Sequence, residues 1–206
     1  LLGATSSLRY FTGISWRPSE RLVGALIHAS GAVDYICPGF ERSKVEGLVS
    51  IAGEILTWEE DESPYALVAA RKRGSDVLGV DDQVALFVYL GLRAAMGDAR
   101  LADAGPLINR LRSKKSESEL ALMRRAKAIT LEVHRRAHAG LALGVRTSEV
   151  AAFIDKAHRE LGAIGGSTFC LVSFGDDSCL PHGGEGDRAL CEGDIVLIDT
   201  GCQLDG

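Results

Sequence analysis

Residues 193–201 have the sequence Gly-Asp-Ile-Val-Leu-Ile-Asp-Thr-Gly, and they decide the fold of the second half of the chain. The continuous apolar run Ile195–Ile198 predicts a buried β-strand that Asp199 closes. A lone carboxylate is costly to bury at the end of such a strand unless it is paired or bound to a metal ion. On spacing alone, an Asp followed by Thr-Gly more often simply starts a turn. The spacing therefore makes Asp199 a candidate site residue but favours the simpler interpretation.

A glycine-rich loop before this strand carries the second candidate, His182. Ser167–Phe174 has the period-two pattern of a strand, and Gly175–Arg188 follows it as a loop with four glycines. The sequence Pro-His-Gly places His182 on a stiff, exposed backbone, which suits a functional site, although an ordinary surface histidine is the commoner outcome. If the two strands pair, the loop and Asp199 should be neighbours.

Two helices are predicted ahead of these strands. Residues 116–119, Ser-Glu-Ser-Glu, form a capping box, so a helix should start at Ser116, and its apolar stripe continues to about Gly140. The second helix has Thr147 as its predicted cap and Gly162 as its end. Each helix presents one apolar face, which predicts burial of that face.

The remaining histidines are interpreted as structural. His134 and His138 lie four residues apart on the first helix, a spacing at which two imidazoles can bind one metal ion. The two arginines between them repel a cation, and the glutamate of an H-E-x-x-H motif is absent, which favours a solvated basic face. His28, in a predicted strand, and His158, on the polar face of the second helix, are assigned structural roles as well.

Strands and helices alternate in the first half of the chain, which predicts an α/β domain with a central mixed sheet. The predicted order is strand Arg21–His28, strand Asp34–Cys37, helix Phe40–Val49, strand Ile55–Trp58, helix Pro64–Arg73, strand Asp76–Val80, helix Gln83–Met96 and strand Arg100–Asp103. A basic connector, Arg110–Lys115, follows, and the domain boundary is placed there. The predicted domains are residues 1–109 and 110–206.

Composition excludes several classes of protein. The chain has 206 residues, 46% of them apolar, and a formal charge of −5, which fits a soluble globule of one large or two small domains. No basic patch predicts nucleic acid or an anionic membrane surface as a partner, and no apolar run is long enough to span a bilayer. Five cysteines without a C-x-x-C motif favour reduced thiols and a cytoplasmic protein. The chain lacks an initiator Met and ends where a new alternating pattern begins, so we expect truncation at both ends.

The chain resembles the Xaa-Pro dipeptidase (prolidase) and aminopeptidase P branch of the creatinase/prolidase family, the metallopeptidases of pita-bread fold. Six segments match family signatures in the right order, and together they are much more specific than any one of them. They are Ser7–Gly13, Cys37–Glu41, Lys115–Leu120, Ser173–Gly175, Pro181–Gly183 and Gly193–Gly201. The resemblance implies a creatinase-like α/β N-terminal domain, followed by the start of a pita-bread α+β catalytic domain.

The same resemblance implies metal-dependent hydrolysis of the Xaa-Pro peptide bond by a water activated between two divalent ions. It makes Asp199 a metal ligand and His182 a catalytic residue that contacts the substrate. The family's other four ligands would follow the last residue of this chain, so the chain alone is expected to be inactive. The implied cofactors are Mn, Co or Zn, the partners are a proline-containing dipeptide or peptide and a second copy of the chain, and the aromatic loop Phe11–Trp16 is a candidate dimer contact. The alternatives are a metal-independent creatinase-like or ectoine-type hydrolase and a non-catalytic pita-bread binding module.

Overall fold

Two units, Leu1–Lys114 and Lys115–Gly206, make up the chain. They are seen in a computed structural model that describes residues 1–72, 77–97 and 100–205. The boundary predicted after residue 109 falls inside a helix, Gly105–Ser113, so the division lies five residues later than the prediction. The predicted connector is therefore mostly helical, and only its last residues join the two units.

The first unit contains five strands and five helices among its described residues. A mixed sheet has the order β1-β2-β3, with β2 antiparallel to β1 and parallel to β3, and β4 pairs with β5 in a separate parallel pair. The elements are α1 (Ser6–Thr12), β1 (Gly24–Ile27), β2 (Val33–Pro38), α2 (Arg42–Leu48), β3 (Glu54–Trp58), α3 (Pro64–Arg71), β4 (Val77–Val80), α4 (Leu86–Met96), β5 (Arg100–Asp103) and α5 (Gly105–Ser113).

The middle strand of the mixed sheet organises the core of this unit. All six residues of β2 are buried, and because successive side chains point to opposite faces, the strand feeds two apolar clusters. Ile36 packs in one cluster with Trp58 of β3, whereas Tyr35 packs in the other with Val45 of α2. The predicted α/β character is confirmed, since helices supply apolar residues to both clusters.

Several predicted boundaries in the first unit differ from the structure. Helix α1, which the sequence pattern did not predict, has Thr5 as its cap and Gly13 at φ +77 as its end, both ordinary signals on a short segment. Helix α4 begins three residues later than predicted, because Asp81 holds the Gln83 amide in a turn at 3.2 Å. Arg73 and Asp76, at the ends of a predicted helix and strand, lie outside the described residues.

The second unit places two helices on one face of a β-hairpin. Helix α6 (Glu117–Ala139) has the predicted capping box at Ser116, and helix α7 (Thr147–Glu160) follows it. Strand β6 (Ser167–Phe174) pairs antiparallel with β7 (Val196–Cys202). Apolar residues of all four elements form one cluster, made of Ile129, Val133, Ala137, Val150, Ile154, Ala157 and Phe174 with partly buried neighbours.

The start of helix α7 differs from the prediction in a way that matters for the site. Thr147 is the first residue of the helix and not its cap. Its hydroxyl donates a hydrogen bond to the carboxylate of Asp187, at 3.0 Å, instead of accepting one from the helix. The cap therefore comes from a residue forty positions later, which local sequence pattern cannot reveal.

Among the described residues, no helix is long and apolar enough to cross a bilayer.

His158, which the pattern placed on the polar face of α7, is fully buried. Its Nδ1 lies 3.1 Å from the Ile154 carbonyl and 3.0 Å from the Ser167 hydroxyl, and its Nε2 lies 3.2 Å from the Thr130 hydroxyl. Burial lowers the pKa of His158, and the bond to Ile154 and the charge of Asp155 oppose that effect only in part. His158 is thus a neutral hydrogen-bonding group that ties α6, α7 and β6 together.

Lowering the pH from 7 to 5 should destabilise the second unit through His158. The unfolded imidazole has a pKa of about 6.5 and the folded one a lower pKa, so the unfolded state binds more protons in this range. The contribution of His158 is therefore complete above about pH 6.5 and is lost as the pH falls toward the folded pKa. An NMR titration of the imidazole, with thermal melts at each pH, measures both effects. His138→Gln, which changes an exposed histidine, should leave the pH dependence intact, and a buried imidazole titrating at or above 6.5 would contradict the prediction.

Candidate functional site

Asp199 lies in the middle of β7 and not at its end. The strand continues to Cys202, and the register pairs Asp199 with Leu171 of β6. The expectation that Asp199 closes the strand and starts a turn is therefore wrong, because the apolar run that suggested the strand covers only its first half. Asp199 is exposed, and its backbone is held by the pairing of β7 with β6. A rigid strand position of this kind presents a carboxylate in a fixed direction.

The two faces of the β6–β7 hairpin have different partners. Cys170, Val172 and Ile198 point to the apolar cluster under the helices. Alternation along each strand places Leu171, Ser173, Leu197 and Asp199 on the opposite face. We call this second face, defined by those four residues, the Asp199 face. Any group that meets the Asp199 carboxylate must approach from that side.

The loop with His182 packs on the Asp199 face. Within it, the Gly183 amide donates to the Leu180 carbonyl at 3.0 Å, which makes a tight turn around Pro181 and His182. Gly183 has φ +82, and a Cβ at this position would lie 2.8 Å from Leu171 Cδ1, so the turn fits closely only with glycine. The imidazole of His182 is exposed. The structure thus brings the His182 turn against Leu171, the residue paired with Asp199, as the pairing argument predicted.

The described residues contain no complete metal centre. No group of three or more His, Cys, Asp or Glu side chains converges within residues 1–72, 77–97 and 100–205. The exposed carboxylate of Asp199 fits a ligand for a hard or borderline divalent ion, but a dinuclear site needs several carboxylates and imidazoles. The described part of the chain therefore offers one expected ligand, Asp199, and no catalytic step through a metal follows from these residues.

The two histidines of helix α6 have different surroundings. His134 points inward, with Nδ1 2.9 Å from the Thr130 carbonyl and Nε2 3.4 Å from the Ile198 carbonyl of β7. His138 is exposed on the same helix. The predicted solvated face thus holds for His138, whereas His134 packs between α6 and β7, next to the strand position of Asp199.

Ser173 is a feature of the Asp199 face that sequence reasoning missed. It is 2% exposed, and among the described residues its hydroxyl is the one buried side-chain polar atom with no hydrogen-bond partner. A Cβ on Gly183 would lie 3.4 Å from this hydroxyl, so the His182 turn covers it. Only the alternation of strand β6 gave a signal for the position, since nothing in the sequence indicates whether a buried serine is paired.

Two family models cover almost all of the chain. The creatinase/prolidase N-terminal domain matches residues 1–114, and metallopeptidase family M24 matches residues 121–206. The chain belongs to the creatinase/prolidase family of metallopeptidases. The resemblance seen in the six sequence segments is therefore confirmed, and so is the fold class it implied.

Relatives of this family match nearly the whole length of the chain. "Putative dipeptidase YkvY" of Bacillus subtilis is 32% identical over 96% of the chain and 55% of the relative. "Probable dipeptidase PepE" of Mycobacterium tuberculosis is 33% identical over 94% of the chain and 52% of the relative. The chain therefore spans about half the length of the curated relatives it matches. These relatives carry peptidase names, and an M24 metallopeptidase implies divalent metal ions and peptide substrates.

Solved structures of the family have the same fold. Dipeptidase PepE from Mycobacterium ulcerans matches with a TM-score of 0.90 and 29% identity over 98% of the chain and 54% of that structure. A recombinant prolidase from Thermococcus sibiricus matches with a TM-score of 0.80 and 25% identity over 99% of the chain and 56% of that structure. Both matches extend over the creatinase-like and M24 parts of the chain.

Replacing Ser173 by Ala should leave the stability unchanged or raise it, because a buried hydroxyl without a partner costs free energy in the folded state. Ser167→Ala is the matched control on the same strand: its hydroxyl bonds to His158, so its loss should cost about 1 kcal/mol. Thermal or urea unfolding of the two variants decides the point. An equal loss of stability in both would show that the Ser173 hydroxyl is hydrogen-bonded in solution.

Proposed function

We propose that the whole protein hydrolyses dipeptides with proline in the second position. Asp199 serves as one ligand of a divalent metal pair, and His182 contacts the substrate at the reacting bond. The observation that carries the proposal is the packing of the His182 turn on Leu171, the register partner of Asp199, in a chain of the M24 family. Membership of the family supports a peptidase, and the proline specificity and the two-metal mechanism are our proposal.

The chemistry of the Xaa-Pro bond explains why such a site is needed. This bond is a tertiary amide without an N–H, and the proline ring fixes φ, so an enzyme that binds its substrate as an added β-strand loses a hydrogen bond there. When bound, a pair of Mn, Co or Zn ions supplies an activated water and a polarised carbonyl. The residues of this chain then have to bind the peptide in the one orientation that brings its Xaa-Pro bond to the reacting position.

His182 suits the orienting role because of where its turn is held. The turn rests on the Asp199 face through Gly183, and the imidazole at its tip is exposed to an incoming ligand. A neutral imidazole can donate one hydrogen bond, to the peptide carbonyl oxygen as charge develops on it or to the substrate carboxylate. A donor of this kind is worth a few kcal/mol, about 10²–10³-fold in rate, in a site from which water is excluded.

The assembly and location of the protein stay predictions. We propose a homodimer in the cytoplasm, with Phe11–Trp16 as the candidate contact. In the structure, Trp16 is partly buried against the core of its own unit and the Lys44 ammonium lies 4.0 Å from the centre of its ring. Phe11 is partly buried against the same core. Both aromatic side chains are thus already in contact with their own unit, so the exposed Ser15 is the better candidate for an intersubunit contact.

Asp199→Ala should abolish metal-pair binding and Xaa-Pro hydrolysis in the whole protein, because it removes a ligand charge from a site that holds four positive charges. His182→Ala should leave the metal content unchanged and lower kcat by about 10²–10³-fold. Metal analysis and Ala-Pro hydrolysis measure the two effects. The matched controls are Glu192→Ala and His138→Ala, which remove an exposed carboxylate and an exposed imidazole. Normal hydrolysis by either site variant would overturn the proposed roles, and full activity of metal-free protein would favour a creatinase-like hydrolase.

The 206-residue chain by itself should bind no metal pair. Its described residues offer Asp199 but no converging group of three ligands, and a dinuclear site needs about five protein residues. Calorimetric titration with Mn²⁺ tests this directly, with the Asp199→Ala variant as the blank. Stoichiometric binding of two ions with sub-micromolar affinity would contradict the prediction, whereas weak binding that the Asp199→Ala change removes would agree with a single ligand.

A further inference from the structure

The first turn of helix α7 is capped by a side chain from the loop Gly175–Arg188, which we call the histidine loop. Arg146 occupies the N-cap position but makes no side-chain cap bond, since a guanidinium has no acceptor. Asp187 Oδ1 instead accepts hydrogen bonds from the Ser148 amide at 2.9 Å and the Thr147 hydroxyl at 3.0 Å. The bond from the Ser148 backbone holds the pKa of Asp187 below its usual range. Asp187 thus joins the histidine loop to a long, well-packed helix.

The chain around Asp187 is fixed by its backbone as well. The Arg146 guanidinium donates to the Asp187 carbonyl at 2.9 Å and lies 3.5 Å from its carboxylate. Just after the histidine loop, the Leu190 amide donates to the Val145 carbonyl at 2.9 Å. These bonds make the end of the loop run antiparallel to the segment that leads into α7, so the loop cannot slide along the helix without breaking several of them.

The two ends of the histidine loop are closed against each other. Arg188 Nη2 lies 3.1 Å from Asp194 Oδ1, and the second oxygen of Asp194 accepts from the Cys191 amide at 2.9 Å. The ion pair packs directly on Gly175, where φ is +54 and a Cβ would lie 2.5 Å from both charged groups. The entry and the exit of the loop therefore form one rigid base. Asp187 is the side-chain link from this base to α7, next to the backbone bond that the Thr147 amide donates to the Arg188 carbonyl at 3.0 Å.

We propose that Asp187 is a positioning residue that holds His182 over the Asp199 face by tying the histidine loop to the N-terminus of α7. Only the expected effect of Asp187 on catalysis rests on the proposed function. The structural content of the proposal is that the geometry of the Pro181–Gly183 turn depends on the bonds of Asp187 to Thr147 and Ser148. Asp187 touches no reacting group and acts through His182.

Hydrogen exchange tests the structural part without any activity. Asp187→Ala leaves the Ser148 amide without its acceptor and removes the side-chain link between the loop and α7, so exchange in peptides covering residues 178–188 should accelerate about tenfold or more. Asp187→Asn keeps an oxygen that can accept from the same two donors and should restore most of the protection. If Asp187→Ala leaves exchange in the loop unchanged, the proposal is wrong.

Asp155→Ala is the matched control for a general loss of stability. Asp155 lies on α7, the helix to which Asp187 bonds. Like Asp187, its carboxylate accepts a hydrogen bond from a backbone amide, that of Ser167 at 2.9 Å, and it also accepts one from Arg159 Nε at 2.9 Å. These bonds lie away from the histidine loop. Removal of the Asp155 carboxylate should lower the melting temperature without selective exchange in residues 178–188. Equal acceleration of loop exchange in the Asp155 and Asp187 variants would show that Asp187 contributes only general stability.

A double-mutant cycle in the whole protein tests the link to His182. Asp187→Ala should lower kcat for Ala-Pro about tenfold or more with a smaller change in KM, and it should add nothing to a His182→Ala background. Independent, multiplicative losses in the double variant would overturn the positioning role. If the wild-type protein shows no Ala-Pro hydrolysis, the proposed function fails, while the exchange experiment still decides whether Asp187 orders the loop.

Discussion

The antiparallel register of β6 with β7 is the constraint on which the rest of the second unit depends. It pairs Leu171 with Asp199 and Val172 with Ile198, so apolar side chains meet the helices while the carboxylate faces away from them. Because side chains alternate, a shift of one residue would turn the Asp199 carboxylate into the apolar cluster and expose the core residues. Burial of Phe174, Val172 and Ile198 under α6 and α7 therefore fixes the direction of Asp199 as firmly as any contact of its own.

The histidine loop connects the two paired strands and is held by contacts with other parts of the second unit. A connection of this length between two paired strands is free to move unless other parts of the molecule hold it. Here the base closes around Gly175, the exit is bonded to α7 through Asp187, and the tip lies on Leu171. The exposed histidine thus sits on a loop that is held at its base, its exit and its tip.

Sequence patterns predicted the periodic parts of this chain well and the long-range parts poorly. The capping box at Ser116 and strand β6 were predicted to the residue, since both signals lie within a few neighbouring positions. The cap of α7 could not be predicted, because it comes from Asp187, far along the chain. Asp199 was placed at a strand end although it lies within β7, because the length of an apolar run underestimates a strand that becomes polar on its exposed face. The burial of His158 and the isolation of the Ser173 hydroxyl depend on tertiary packing and had no local signal.

The absence of a side chain at Gly175 limits how the sequence of this loop can change in evolution. Any side chain there would have to displace the Arg188–Asp194 ion pair and also adopt a left-handed backbone, so the base of the loop tolerates little variation. The stretch between the His182 turn and Asp187 is different at Glu185, which is exposed to solvent. Substitutions can accumulate at this exposed position while the base keeps its shape. The loop thus combines a base that must stay constant with an exposed position that can vary without refolding the domain.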